Sequence, residues 1–231
     1  MTDARDWVTF WDTPHSIYVN ARHFDAHYRD IADGICRLLP RAGLRVLDYG
    51  CGEALHANRV AARAAKLYLC ESAANVRNHL AQRFAGNPAI AVVTPEDVER
   101  MKDGALDISI VNSVAQYLSS QELDRLLALM RRLIAPGGVL IVGDVIAPGA
   151  HPLFDALALL RYAARSGFLI AALIGLVRTV FSEYRDVRAR LGVATYDEAE
   201  FMARLTAAGF VPERLAENLE HNPARMSFRA R

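Results

Sequence analysis

Cysteine is scarce in this chain, and what there is does not pair: Cys36, Cys51 and Cys70 are odd in number and show no CxxC spacing. A disulfide framework is therefore not expected, and reduced thiols fit a cytoplasmic protein. A surplus of charge of one sign is missing too. Lys and Arg total 27 against 26 for Asp and Glu, so no positive field draws the chain to nucleic acid by counterion release. Long apolar runs are also absent. The most apolar stretch, GFLIAALIGLV at 167–177, is flanked by Arg165 and Arg178 and is about half of the ~20 residues that cross a bilayer. It predicts a buried or interfacial helix with no transmembrane segment. The opening residues, MTDARDWVTFWD, lack the basic and apolar regions of a signal peptide, and a cytoplasmic location is expected. No internal repeat or low-complexity tract appears.

Hydrophobic residues make up 52% of the chain and charged residues 23%, enough apolar surface for one sizeable core in a single domain. From Leu44 to Ile146, short β-rich runs alternate with segments of helical period, which predicts βαβ units around a parallel sheet. The expected strands are Arg45–Asp48, Lys66–Cys70, Ile90–Val93, Asp107–Val111 and Val139–Gly143. Helices are expected near His56–Ala64, Ala74–Phe84 and Gln121–Ile134, the last stopped by Pro136, Gly137 and Gly138. Residues 1–40 read as an aromatic and helical flap, 44–146 as the ligand-binding core and 147–195 as a helical lid insertion. Residues 196–231 read as a helix followed by an antiparallel hairpin, its strands joined by a turn at Asn222-Pro223.

The strongest chemical signal is VLDYGCGEA, residues 46–54, an apolar strand that meets an acid and then a glycine turn before a helix. In a doubly wound sheet, ligands bind at the carboxyl ends of the strands, where this turn sits. Gly50 and Gly52 let the main chain approach a ligand closely. The dinucleotide pattern GxGxxG is incomplete, since Glu53, Ala54 and Leu55 follow Gly52, and Asp48 would repel a pyrophosphate.

This stretch resembles the first motif of the class I S-adenosylmethionine-dependent methyltransferases. The resemblance continues through Leu44 to Asp144, ending in LIAPGGVLIV at 133–142, and implies a Rossmann-like α/β fold, doubly wound around a mostly parallel seven-stranded sheet. It implies S-adenosylmethionine as cofactor, held by Asp48, Gly50, Cys51 and Gly52 at the methionine end. Glu71 and Ser72 would meet the ribose, Glu96, Asp97 and Val98 the adenine, and Asn112 and Ser113 the methyl group. The run NSVAQY at 112–117 is similar to one in methyltransferase domains of nonribosomal peptide synthetases and points towards secondary metabolism.

Methyl transfer from a sulfonium is an in-line displacement for which alignment and water exclusion suffice, so a base is optional. His15, His151, His221 and Tyr117 are the candidates for that role, and Gln116 could orient an acceptor with Tyr117. Cys51 is not expected to act as a nucleophile. His23 and His27 have the spacing of two metal ligands on a helix but no obvious third, and no metal is expected. Tyr18 and Tyr28 are the flap residues expected to reach the cofactor.

Leu153, Phe154, Leu157, Leu160 and the 168–177 run, with Arg161, Arg165 and Arg178 nearby, suggest a small or lipophilic, carrier-bound acceptor. Peripheral contact with a membrane or a homodimer interface would use the same surface. Two other readings stand beside methyl transfer: a nicotinamide-dependent oxidoreductase, and a non-catalytic cofactor-binding partner protein.

Overall fold

The computed structural model of the chain describes residues 4–13, 18–149, 152–179 and 192–231. The flap comes first, as α1 (Ala4–Trp11) and α2 (Ala21–Leu38). Asn20 caps α2, its side chain accepting the His23 amide N–H, one of the four donors a helix start leaves unsatisfied. Alternation then begins: β1 (Leu44–Tyr49), α3 (Ala57–Ala61), β2 (Ala64–Cys70), α4 (Ala74–Phe84), β3 (Ile90–Val93), α5 (Pro95–Glu99) and β4 (Leu106–Asn112). After β4 come a single 3-10 turn at Ala115–Tyr117, α6 (Ser120–Leu133) and β5 (Ile134–Val145). The insertion holds α7 (Pro152–Ser166) and α8 (Leu169–Thr179), and the chain ends with α9 (Glu198–Ala207), β6 (Pro212–Arg214) and β7 (Met226–Ala230).

The seven strands form one sheet in the order β3-β2-β1-β4-β5-β7-β6. β1 to β5 pair in parallel, and β7 runs antiparallel between β5 and β6. This is the expected sheet with its antiparallel terminal pair at one edge. Val46 and Leu47, successive on β1, enter core clusters on opposite faces of the sheet. That follows from the two-residue period of a strand and explains why the parallel strands read as continuous apolar runs. Each fully buried Leu or Ile there is worth about 1.5–3 kcal/mol against exposure.

Strand order reverses between β1 and β4, which are neighbours although β2 and β3 lie between them in sequence. Their carboxyl ends splay apart there and open a crevice. Helix α2 lies along it, with His23, Phe24, His27, Tyr28 and Ile31 in its wall, and the insertion packs against α2: Ala26 meets Tyr162 and Ala163 of α7 as well as Phe168 and Ala172.

Two boundaries differ from the sequence reading by more than two residues, both because strand pairing overrides local signals. α3 stops at Ala61 because the chain already pairs with β1 at Ala64. β5 starts at Ile134, which pairs with Leu106 and carries Pro136, Gly137 and Gly138 inside the strand, while α6 ends at Leu133.

Candidate functional site

Gly50 and Gly52 have φ of +74° and +57°, a left-handed turn that glycine enters without steric cost. The turn is pinned by β2: the Gly50 and Cys51 amides donate to the Cys70 carbonyl at 2.8 and 3.1 Å. A Cβ on Gly50 would lie 2.5 Å from Val114 Cγ2, and one on Gly52 would lie 2.5 Å from Tyr28 Oη. The glycines therefore admit the loop after β4 and the flap as well as any ligand. Tyr28 Oη also accepts the Glu53 amide N–H at 3.0 Å.

Two carboxylates flank this turn. Glu71, at the end of β2, accepts the Gly52 amide on Oε2 and the Ala73 amide on Oε1, both at 2.9 Å. Asp48 is buried, and that burial, with the Glu71 charge second, pushes its carboxyl up to about 7. Cys51 is also buried; its thiol donates to the Gly52 carbonyl at 3.5 Å and is pushed well up by desolvation, which disfavours a nucleophilic thiolate.

A cavity of about 1250 Å³ runs from this turn along the strand ends. Asp48, Gly50, Cys51, Gly52, Glu71 and Ser72 line one end, and Asn112, Ser113, Asp144, Glu220 and His221 line the other. Trp7, Trp11, Tyr18 and Tyr28 from the flap complete its wall, with Tyr117 in contact with Trp7 at 4.6 Å between ring centroids. The residues expected at adenine do not line the cavity. Asp97 and Thr94 form a reciprocal cap on α5, Asp97 accepting the Thr94 amide at 3.0 Å, and Val98 is fully buried in the core. Pro95 and Glu99 line the cavity there, not Glu96, Asp97 or Val98.

At the opposite end, Ser113 and Asp144 are non-glycine residues with φ of 55° and 58°, an uncommon conformation that concentrates at functional sites. The Ser113 hydroxyl lies 3.0 Å from Asp144 Oδ2 and closer still to Glu220 Oε1. A hydroxyl has one proton, so both contacts are hydrogen bonds only if one carboxyl is protonated and donates to Ser113 Oγ. Burial accounts for it: desolvation, then the Glu220 charge, pushes Asp144 up to about 7, and desolvation raises Glu220. Asn112 Nδ2 donates to Glu220 Oε1 at 2.8 Å, and Asn218 Nδ2 donates to Asp144 Oδ1 at 3.2 Å.

His221, one of the proposed bases, reaches this end, where its ring stacks on Tyr162 at 4.6 Å and burial lowers its basicity. His15 and His151 lie outside the described residues. His23 and His27 do not converge: their ring centroids are 6.5 Å apart, and His23 stacks on Phe168 while His27 turns towards Glu220. Desolvation holds both imidazoles down at about 4. Glu220 and Asp144 are cavity residues that the sequence reading missed, and His27 is one it weighed only as half of a His23–His27 pair. Asp144 had a signal, since it ends a strand as Asp48 does; Glu220 had only its neighbour His221.

Comparison with known proteins agrees with this geometry. Residues 47–142 match a family model described as "Methyltransferase domain". An uncharacterized methyltransferase of Geobacillus kaustophilus is 28% identical over 127 residues, a match covering 52% of this chain and 58% of that protein. The solved DhpI complex with S-adenosylhomocysteine superposes with a TM-score of 0.62 at 14% identity, over 99% of this chain and 96% of that one. A SAM-dependent methyltransferase of Leishmania major gives 0.63 at 11% identity, over 98% and 82%. At such identities these two likenesses speak for the fold. Fold, motif order and family match set aside the nicotinamide reading. Residues 47–142 are a methyltransferase domain, and the chain carries the Rossmann-like, seven-stranded fold of the S-adenosylmethionine-dependent methyltransferases.

Proposed function

We propose that this chain transfers a methyl group from S-adenosylmethionine to a small or lipophilic acceptor bound at the Glu220 end of the cavity. The observation that carries this reading is the continuity of the cavity, which joins the glycine turn to the Ser113, Asp144 and Glu220 cluster under one aromatic cover. The residues at the turn fit the cofactor. A left-handed glycine pair leaves room for its methionine portion, Asp48 complements its cationic groups, and Glu71 offers lone pairs to its ribose hydroxyls.

When bound, the cofactor supplies a methyl on a positively charged sulfur and leaves as a neutral thioether. Asn112, Ser113 and Glu220 hold the acceptor's reacting atom in line, and Tyr18, Tyr28 and Trp7 exclude water, so that positioning supplies most of the acceleration. A lipophilic acceptor is supported by the apolar stripe of Ile170, Ile174 and Val177 on α8, which are 77%, 50% and 65% exposed. The same stripe suits contact with a membrane surface or a second copy of the chain. Among the described residues no helix is long and apolar enough to cross a membrane.

Calorimetric titration with S-adenosylhomocysteine and, separately, NADH tests the reading. Expected is binding of the first alone, weakened at least about tenfold, or about 1.4 kcal/mol, in both Asp48→Ala and Glu71→Ala. Incubation of acceptor pools with labelled S-adenosylmethionine then identifies the product. Folded, ligand-free protein that ignores S-adenosylhomocysteine would overturn the cofactor assignment; binding with no transfer to any acceptor would favour the partner-protein reading.

A further inference from the structure

The acceptor end of the cavity contains a second constellation, which shares Glu220 with the acceptor-positioning group. His27 from α2 and Glu220 and His221 from the 215–225 loop each present a ligand atom, and these atoms all lie within 4.8 Å of one another. Two imidazoles and one carboxylate are a recurring donor set for divalent transition ions, one that leaves coordination positions open.

We infer that His27, Glu220 and His221 bind a divalent transition-metal ion of the zinc, cobalt or iron(II) kind at the acceptor end of the cavity. The spacing supports an ion over a direct contact. His27 Nδ1 and Glu220 Oε2 are 3.9 Å apart, too far for a hydrogen bond. Around an ion with bonds of about 2.0–2.2 Å, neighbouring ligand atoms lie about 3–3.4 Å apart. Inward shifts of about half an ångström in each side chain would close the site.

The three side chains are also held as metal ligands usually are, by partners of their own. Glu220 uses Oε1 to accept from Asn112 Nδ2 at 2.8 Å and from the Ser113 hydroxyl, which leaves Oε2 turned towards His27. The His27 ring is packed between Tyr18 and Tyr28, at centroid distances of 5.3 and 5.1 Å. His221 is stacked on Tyr162 at 4.6 Å.

Charge argues the same way. Asp144 and Glu220 line this end of the cavity with Arg225, whose guanidinium bonds Asp155 at 3.0 Å. Three carboxyl groups face one guanidinium there, an imbalance that a cation would offset. Among the described residues no other three His, Cys, Asp or Glu side chains bring ligand atoms this close. An ion here would face the cavity, and the acceptor it suits is one with a hydroxyl or another lone-pair donor, whose proton a metal makes easier to lose. That last step rests on the methyl-transfer reading; binding of the ion does not.

The test uses the full chain freed of any affinity tag and dialysed against a chelator, titrated with zinc chloride by calorimetry and with cobalt chloride by visible absorption. Expected is one equivalent bound in the micromolar range or tighter, with cobalt ligand-field bands. Glu220→Gln and His221→Ala should each weaken it at least about tenfold. Two variants are used so that one misfolded protein, identified by circular dichroism, leaves the other to decide. No stoichiometric uptake by folded wild-type protein overturns the inference. So does uptake unchanged in the folded variants, which would place the ion elsewhere, for example at the exposed His79. A parallel titration with S-adenosylhomocysteine keeps the two readings separate: cofactor binding without metal uptake defeats only this inference, and metal uptake without cofactor binding defeats only the methyl-transfer assignment.

Discussion

Asp48 is a carboxylate in a place that disfavours its charge, and its consequences run in two directions. Its folded value near 7 lies above the unfolded value near 3.9. Its contribution to stability is therefore fully present below about pH 4 and lost as pH rises through about 7. Asp48→Asn should raise the stability of the ligand-free protein at pH 8, by about 2–4 kcal/mol at most, read as a higher denaturation midpoint. The same variant should weaken cofactor binding. In the wild type, affinity for S-adenosylmethionine should fall as pH drops from 8 to 6, approaching about tenfold per unit below the pKa, and Asp48→Asn should flatten that slope in a calorimetric series. A pH-independent affinity in the wild type would remove Asp48 from the cofactor site.

Gly52 gives a second test at this scale. Gly52→Ala meets both an unfavourable φ of +57° and the Tyr28 hydroxyl 2.5 Å from the new methyl. It should cost about 1–3 kcal/mol in thermal or denaturant unfolding. Adding Tyr28→Phe should recover only part of this, because it removes the hydroxyl and leaves the backbone angle.

Among the elements, α2 is the one most exposed to pH. It carries His23 and His27, both held near 4 by burial, below the unfolded value near 6.5. Their contribution is complete above about 6.5 and is lost as pH falls towards 4, since protonation favours states in which the rings are hydrated. Amide exchange in residues 21–38, corrected for intrinsic rates, should therefore quicken between pH 7 and 5 while β1 and β4 stay protected. Uniform protection across α2 and the sheet would show that the flap opens only with global unfolding.

How much could be read ahead also varied by element. β3 and α4 fell on the expected residues because an apolar run and a helical period are local properties. The loop at 215–225 looked like a plain turn, yet it delivers Glu220 to Asn112, 108 residues away in sequence. That encounter depends on β7 inserting antiparallel beside β5, and no local pattern states it. Glu96 and Asp97 are ambiguous for the opposite reason. Acids after a strand suit a ligand and equally suit the first turn of a helix, and α5 used Asp97 as its cap.

At the scale of the whole molecule, both tryptophans of the chain, Trp7 and Trp11, lie in the flap and line the cavity. Intrinsic fluorescence should therefore report occupancy directly. Saturating S-adenosylhomocysteine should shift or quench the emission, and the signal should persist in Trp11→Phe because Trp7 packs on Tyr117. Emission unchanged at saturation would mean that the flap does not sense the cofactor.

The flap that lines the cavity is braced by a stretch distant in sequence, the insertion. Arg22 of α2 donates to the Gly167 carbonyl at 2.9 Å, His23 stacks on Phe168 at 4.8 Å, and a side chain at Gly175 would collide with Val19. In evolutionary and engineering terms, the two stretches are one inheritable part. A chimera that takes only the 147–195 insertion from a relative would set foreign helices against the wrong flap, and new acceptor preferences should transfer intact only when residues 1–40 travel with it.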